Sequence, residues 1–247
     1  MKGEDPKQRS KAHVFSAPLG SATSGRLVFT TNAAGVTLLT EPALQGLVHG
    51  RFVRRVSWVG FEEGIVMVGS YPATFCRPDV LSPSSDRPSS DRPPSDRPPF
   101  PPIHRRDVPG KPGDEITLNA YIPWEIEFRG GISNLHADLR GLELRSLDVL
   151  GGASQIRLLL SQPAKTTFIY ITGGIRKGLI RMSPSVGVRV QVSGGISNLV
   201  FDGQRFAAMA GDINLENSTF KSATSRCDVC IAGGANNLTI DNQDLPG

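Results

Sequence analysis

Cysteine is scarce, with three in 247 residues: Cys76, Cys227 and Cys230. So small and odd a set makes no disulfide framework and suits a reducing compartment. Phe, Trp and Tyr together reach only 6%, which excludes a broad aromatic core and implies a thin one of Val, Ile and Leu. Long apolar runs are missing too. The longest, such as Ile65–Val68 and Leu158–Leu160, fall far short of the roughly 20 residues that span a bilayer. The amino terminus, MKGEDPKQRSKAHVFSAPLG, contains no apolar core of a secretory signal. A cytoplasmic location is the expectation, with peripheral association to a cell envelope left open.

Chemistry-bearing motifs are equally sparse. The histidines His13, His49, His104 and His136 stand apart, none with a second ligand at metal spacing. There is no G-x-S-x-G, H-E-x-x-H or P-loop pattern. No catalytic residue, metal or cofactor is expected, and the chain reads as no enzyme. The net charge of +4 is mild. Its basic clusters, Arg51 with Arg54 and Arg55, and Arg105 with Arg106, are not interleaved with stacking aromatics, so no nucleic-acid partner is expected.

What the chain has is a recurring glycine doublet. Its first glycines are Gly130, Gly151, Gly173 and Gly194, which are 21, 22 and 21 residues apart, and then Gly233, 39 further on. A fixed period of this size is the mark of stacked repeats. With the first glycine as zero, offsets −4 and −2 are apolar in all five copies, from Ile126 and Phe128 to Val229 and Ile231. Apolar residues resume at +5 and +7, as in Leu135 and Ala137 or Leu238 and Ile240. Each copy therefore reads as two half-buried strands joined by a corner, where glycine accepts positive φ and leaves room for the next coil. Gly178 falls where a core residue belongs. A worn copy with Ala210 as zero is expected in the 39-residue gap, placing Asn214 at +4, and a fainter one at Thr31.

This predicts an all-β chain: a stacked β-solenoid or flattened β-roll with repeats of about 21 residues and Gly-Gly corners. Residues 1–23 read as a flexible polar arm and 24–75 as an N-terminal β segment packing with the array, with a turn at Glu62, Glu63 and Gly64. Residues 76–112, carrying tandem Ser-Asp-Arg-Pro units, read as a disordered insert. The repeat domain occupies 113–243, entered past a strand break at Pro123, and 244–247 form a tail. Trp58 is expected to pack within the N-terminal segment.

A polar constellation follows the corners. At +4 stand Asn134, Gln155, Lys177, Asn198, Asn214 and Asn237, and at +8 Asp138, Asp202 and Asp241. Stacking puts equal offsets about 4.8 Å apart, so these side chains form a ladder that is either structural or a strip for a sugar polymer. Leu159 and Arg181 interrupt the aspartates, which weakens any polysaccharide-cleaving reading. Exposed aromatics on outward positions would support a glycan binder, but the outward positions are mainly Glu, Arg, Gln, Ser and Asp. The reading is a non-enzymatic scaffold or protein-interaction module, with a carbohydrate- or envelope-binding module as the alternative. The partner, an unknown protein or an envelope glycan, and the oligomeric state are left undefined. Cys227 and Cys230 form C-x-x-C, but in a strand they cannot meet, so Cys227 is expected buried and Cys230 facing solvent.

The corners GGISNL and GGASQI, with the pairing of GRLVF and AAGVT to IPWEIE and GGISNL, resemble the toastrack-type β-repeat domains of bacterial adhesin-like and cell-envelope stress proteins. The resemblance covers about residues 25–75 and 114–243. It implies a right-handed β-solenoid or flattened roll that scaffolds or binds near the envelope, and it brings no catalytic motif.

Overall fold

The computed structural model describes residues 13–53, 58–69 and 113–242, and every regular element among them is a strand. The insert and the tail lie outside the described residues, as do Cys76, His104, Arg54, Arg55, Arg105, Arg106 and the side chain of Trp58. In chain order the strands are β1 (His13–Pro18), β2 (Gly25–Phe29), β3 (Ala33–Glu41), β4 (Gly46–Phe52), β5 (Trp58–Glu62) and β6 (Ile65–Gly69). After the insert come β7 (Asp114–Asn119), β8 (Trp124–Phe128), β9 (Ile132–Leu139), β10 (Leu144–Val149), β11 (Ala153–Leu160), β12 (Thr166–Ile171) and β13 (Ile175–Arg181). The last are β14 (Gly187–Val192), β15 (Ile196–Phe201), β16 (Gln204–Met209), β17 (Ile213–Glu216), β18 (Arg226–Ile231) and β19 (Ala235–Asp241).

These form two sheets. The ten-stranded sheet runs β1-β4-β7-β3-β9-β11-β13-β19-β15-β16, and the nine-stranded sheet runs β17-β14-β18-β12-β10-β8-β2-β6-β5. Each regular coil passes from the nine-stranded sheet through a corner into the ten-stranded one, so coils stack in parallel with equal template positions in register. The expected inward residues, Ile126, Phe128, Leu147, Val149, Ile169, Ile171, Val190, Val192, Val229 and Ile231, are all buried between the sheets. Full burial of such a side chain stabilises by about 1.5–3 kcal/mol before its ordering cost is counted.

The faint copy at Thr31 is real. β2 pairs with β8 and β3 with β9, Phe29 stacks on Phe128 with ring centroids 4.6 Å apart, and Asn32 Oδ1 accepts a hydrogen bond from the Gly131 amide. Pro123 ends the loop before β8, as its missing amide suggests. Trp124 is wholly buried against Gly25 on the neighbouring strand, where an added Cβ would come within 2.7 Å of the indole. Gly178 likewise leaves space that the side chains of Ile175 and Leu238 fill.

Two expectations are corrected. Residues 13–18 are not part of an arm: they form β1, antiparallel to β4. The 39-residue gap does not hold a further parallel copy at Ala210. After β15 the chain reverses at Asp202 and Gly203, and β16 and β17 run antiparallel to β15 and β14. The chain then returns to place β18 and β19 between the coil β12–β13 and the coil β14–β15. The other end mirrors this, with β4 and β5 antiparallel to β7 and β6 and a left-handed turn at Glu63 and Gly64. A parallel coil stack thus gives way at both ends to an antiparallel coil, and at the amino-terminal end β1 adds one more strand beyond β4.

The corner glycines serve close approach more than unusual φ. A Cβ on Gly151 would lie 2.7 Å from the Gly131 amide nitrogen, and one on Gly173 2.4 Å from that of Gly152. Neither residue has positive φ. The stacked corners simply lack room for a side chain.

Candidate functional site

The +4 column has a backbone cause. Asn134, Gln155, Lys177, Asn198 and Asn237 all adopt left-handed φ, between 52° and 60°, and Gly35 at 65° holds the same place in the coil β2–β3. The residue at +2, such as Ile132 or Ile175, is buried in every coil but the first, where Ala33 is half-buried, and so is the +5 residue except Gly178's missing side chain. A three-residue step between inward positions needs one extra residue out of the alternation, and the left-handed residue supplies it. The parity switch therefore sits at +4, inside the strand, and not at the glycine corner. Asn and Gly tolerate this conformation with little strain, whereas most residues pay about 1–2 kcal/mol.

The column runs Gly35, Asn134, Gln155, Lys177, Asn237, Asn198 across the sheet, because the returning coil reverses the last two. Asn198 Nδ2 donates to Asn237 Oδ1, and Arg205 Nε donates to Asn198 Oδ1 at 3.0 Å. Asn214 is not in it: it sits on β17 in the other sheet, opposite Gln191, without left-handed φ.

The three aspartates have separate surroundings. Asp138 accepts two hydrogen bonds of 2.8 Å from Arg140, and that guanidinium holds its carboxyl below the usual range despite partial burial. Asp241, only 9% exposed, is gripped by Arg181 at 2.8 and 2.9 Å across β13 and β19. Asp202 (φ 49°) and Gly203 (φ 74°) make the two-residue turn between β15 and β16, the Asp-Gly signature of a tight hairpin.

A different constellation lies on the outer face of the nine-stranded sheet. β12 is an interior strand there, and its outward residues are Phe168, 54% exposed, and Tyr170, 37% exposed. Both sit at outward template offsets, −5 and −3 from Gly173. Classing the outward positions by their polar majority passes over them. Register fixes their neighbours. Glu125, Ser146, Phe168, Asp228 and Arg189 form one cross-strand row, and Glu127, Asp148, Tyr170, Cys230 and Gln191 the next. Neighbours within a row are about 4.8 Å apart.

The charges on this face are unequal in partnership. Glu127 is bonded by Arg26 at 2.6 Å and Arg129 at 2.9 Å. Burial raises its carboxyl, but the two guanidinium groups outweigh that and leave it below the usual range. Asp228 is held by Arg189 at 2.9 Å. Asp148 receives a hydrogen bond from Ser146 Oγ at 3.0 Å, and no ion pair reaches it among the described residues. Burial, with the charges of Glu127 and Glu125, pushes its carboxyl above the ordinary range. The tyrosine thus borders a carboxylate that accepts a bond from Ser146 and has no cation paired with it among the described residues.

Cys227 is buried and its thiol is pushed up to about 12, chiefly by burial. Cys230 is half-buried on the outer face, and the two are free thiols on one strand. Among the described residues no group of His, Cys, Asp and Glu is placed to hold a metal ion. Among the described residues no helix is long and apolar enough to cross a membrane.

Residues 110–181, which span β7 to β13, match the model of the N-terminal domain of toast_rack, DUF2154. Over that stretch the chain resembles a toast-rack-type β-repeat domain. Its fold is similar to that of a candidate cell adhesion protein from Clostridium sporogenes, known from a crystal structure. The two share 17% identity at a TM-score of 0.60, over 94% of this chain and 99% of that one. At this identity the likeness shows the fold alone. No curated protein matches the sequence. The toast-rack match ends at Arg181, so it takes in β12 and both of its outward aromatics but not the intercalated coil or the C-terminal cap.

Proposed function

We propose that this protein is a non-enzymatic interaction module that binds a partner protein through the outer face of its nine-stranded sheet. One observation carries this reading: Phe168 and Tyr170 stand exposed on an interior strand of the sheet, among cross-strand neighbours that are mostly polar. Aromatic side chains in such a place offer large apolar area at small entropic cost, the usual composition of an interface centre. Asp148 beside Tyr170 adds a demand for positive charge. An arginine of the partner would pair with that carboxylate and lie over the ring at once. The partner surface is therefore apolar with a cationic group. Against catalysis, Glu127 is committed to Arg26 and Arg129, so it and Asp148 do not form the free carboxylate pair that glycoside cleavage uses.

The alternative, a carbohydrate- or envelope-binding module, draws on the same aromatics, with Asp148 and Gln191 as hydrogen-bonding groups. The adhesion description of the Clostridium protein accords with it. The experiment compares the wild type with Phe168→Ser and Tyr170→Ser, matched for melting temperature, on arginine-containing peptide arrays and on envelope-glycan arrays. Peptide binding lost in both variants supports the first reading. Glycan binding lost in both supports the second. Binding that survives both substitutions removes this face from the function.

A further inference from the structure

The outer face of the ten-stranded sheet carries a feature of its own beside the corners. Pairing sets Ala34, Ser133, Ser154, Arg176, Asn236 and Ser197, all at +3, in one row across six strands. With neighbours about 4.8 Å apart, the row is roughly 24 Å long. Two open depressions lie along it. One, of about 340 Å³, is lined in part by Asn32, Ala34, Gly131, Ser133 and Gly152, and the other, of about 560 Å³, by Gly195, Ser197, Gly211, Gly234 and Asn236. Between them stands the coil β12–β13, whose Arg176 and Lys177 are exposed. Arg157, exposed as well, lies beside Leu179, two residues beyond Lys177. No ion pair holds any of these three cations among the described residues. From −1 to +6 none of the six coils contains Asp or Glu. Carboxylates resume at −3 and +8, where Glu127, Asp138 and Asp241 are held by arginines.

We propose that this strip binds a phosphate-bearing polyol or sugar chain laid across the strands along the row of corners. The charge left uncompensated there calls for an anion, and the side chains suit phosphate. Arg157 and Arg176 each present a fork of N–H donors, and Lys177 adds a compact charge. The hydroxyls and amides of Ser133, Ser154, Asn236 and Ser197 match the hydroxyl groups that such a chain carries between its phosphates. No aromatic stands at +3, +4 or +6 in any of the six coils. The strip therefore offers neither the rings on which nucleic-acid bases stack nor the aromatic centre of a protein interface. Small side chains at the glycine corners let a thin chain lie close to the sheet on both sides of the cations. This surface lies on the other sheet from the protein-binding face and does not rest on it.

The test measures binding of the full chain to labelled poly(glycerol phosphate), with neutral dextran, poly-glutamate, oligothymidylate and phosphatidylglycerol vesicles for comparison. Arg176→Ser and Lys177→Asn each introduce the residue that other coils carry at the same offset, and so keep the fold. Arg145→Ser removes the same charge from exposed β10 in the other sheet. The expected result is that poly(glycerol phosphate) binds more tightly than every comparison and weakens steeply with salt. Arg176→Ser with Lys177→Asn should lower that binding about tenfold or more, and Arg145→Ser should leave it unchanged. Should the double variant fold poorly, Lys177→Asn decides alone by reducing the salt slope by about one. A wild type that does not bind, equal or tighter binding to any comparison, indifference to the substitutions in the strip, or an equal loss with Arg145→Ser would each overturn the proposal.

Discussion

Asn198 and Asn237 bond side chain to side chain although 39 residues separate them, and each occupies the left-handed position of its coil, with φ of 57° and 52°. The contact exists because β19 is laid directly beside β15. It joins the two questions that the repeat pattern raises, namely what the column after each corner is for and in what order the coils stack.

If the column serves the backbone, glycine should replace asparagine there better than alanine does. Asn237→Ala is expected to lower stability by about 1 kcal/mol through left-handed strain, and Asn237→Gly by only a few tenths. Lys177→Asn should raise the melting temperature, since lysine at φ 60° is the poorest fit in the column. Chemical denaturation of the purified variants measures all three. Equal losses from Asn237→Ala and Asn237→Gly would transfer the role to the amide group.

Gly173→Ala and Gly203→Ala separate crowding from conformation. At Gly173 a methyl would enter a 2.4 Å gap to backbone of the neighbouring coil, so the loss should reach about 3 kcal/mol, at the upper end for overpacking. At Gly203 nothing lies within 4 Å, and only the left-handed φ opposes the change, at about 1 kcal/mol. A larger loss at Gly203 than at Gly173 would contradict the stacked-corner geometry.

The buried thiol of Cys227 should make itself felt in alkali. Cys227 holds its proton in the folded chain up to about 12, above the ordinary thiol value of 9.0. Its contribution to stability is thus complete below about pH 9 and is lost as the pH climbs towards 12. Cys227→Ala should flatten that part of the stability profile. In the native protein at neutral pH a thiol reagent is expected to modify half-buried Cys230 and to reach Cys227 only on unfolding, as mass spectrometry of digested protein would show. Equal modification of both would mean that β18 is not the strand described.

The repeat pattern made the corners, the inward rows and even the faint coil at Thr31 legible, because inward burial leaves an alternation that each coil carries in its own sequence. Stack order was not legible in the same way. A parallel coil presents the same two edges whichever coil lies beside it, so nothing in GGANNL says that it sits next to GGIRKG. The reversal at Asp202-Gly203 did leave a signal, a hairpin dipeptide between two β runs, but fitting Ala210 to the period hides it. Lys177 shows the other limit. Its side chain says nothing of left-handed backbone, and only its place in a column of Asn and Gly does. Phe168 and Tyr170 stand at outward offsets that a reading by polar majority passes over, and their exposure within the sheet depends on which strands flank β12, which again is stack order.

Intercalation of β18–β19 also bears on how the molecule comes to be built. A ribosome releases β14 to β17 before the coil that must separate β14–β15 from β12–β13 exists. The cap therefore cannot dock by simple growth along the array, as one-dimensional repeat folding would allow. Until the last coil is synthesised, the exposed flank of β12–β13 offers β14–β15 a seat one place too early. Folding of the C-terminal third is thus tied to the final residues of the array, and a nascent chain halted before Arg226 would hold a stack closed in the wrong order.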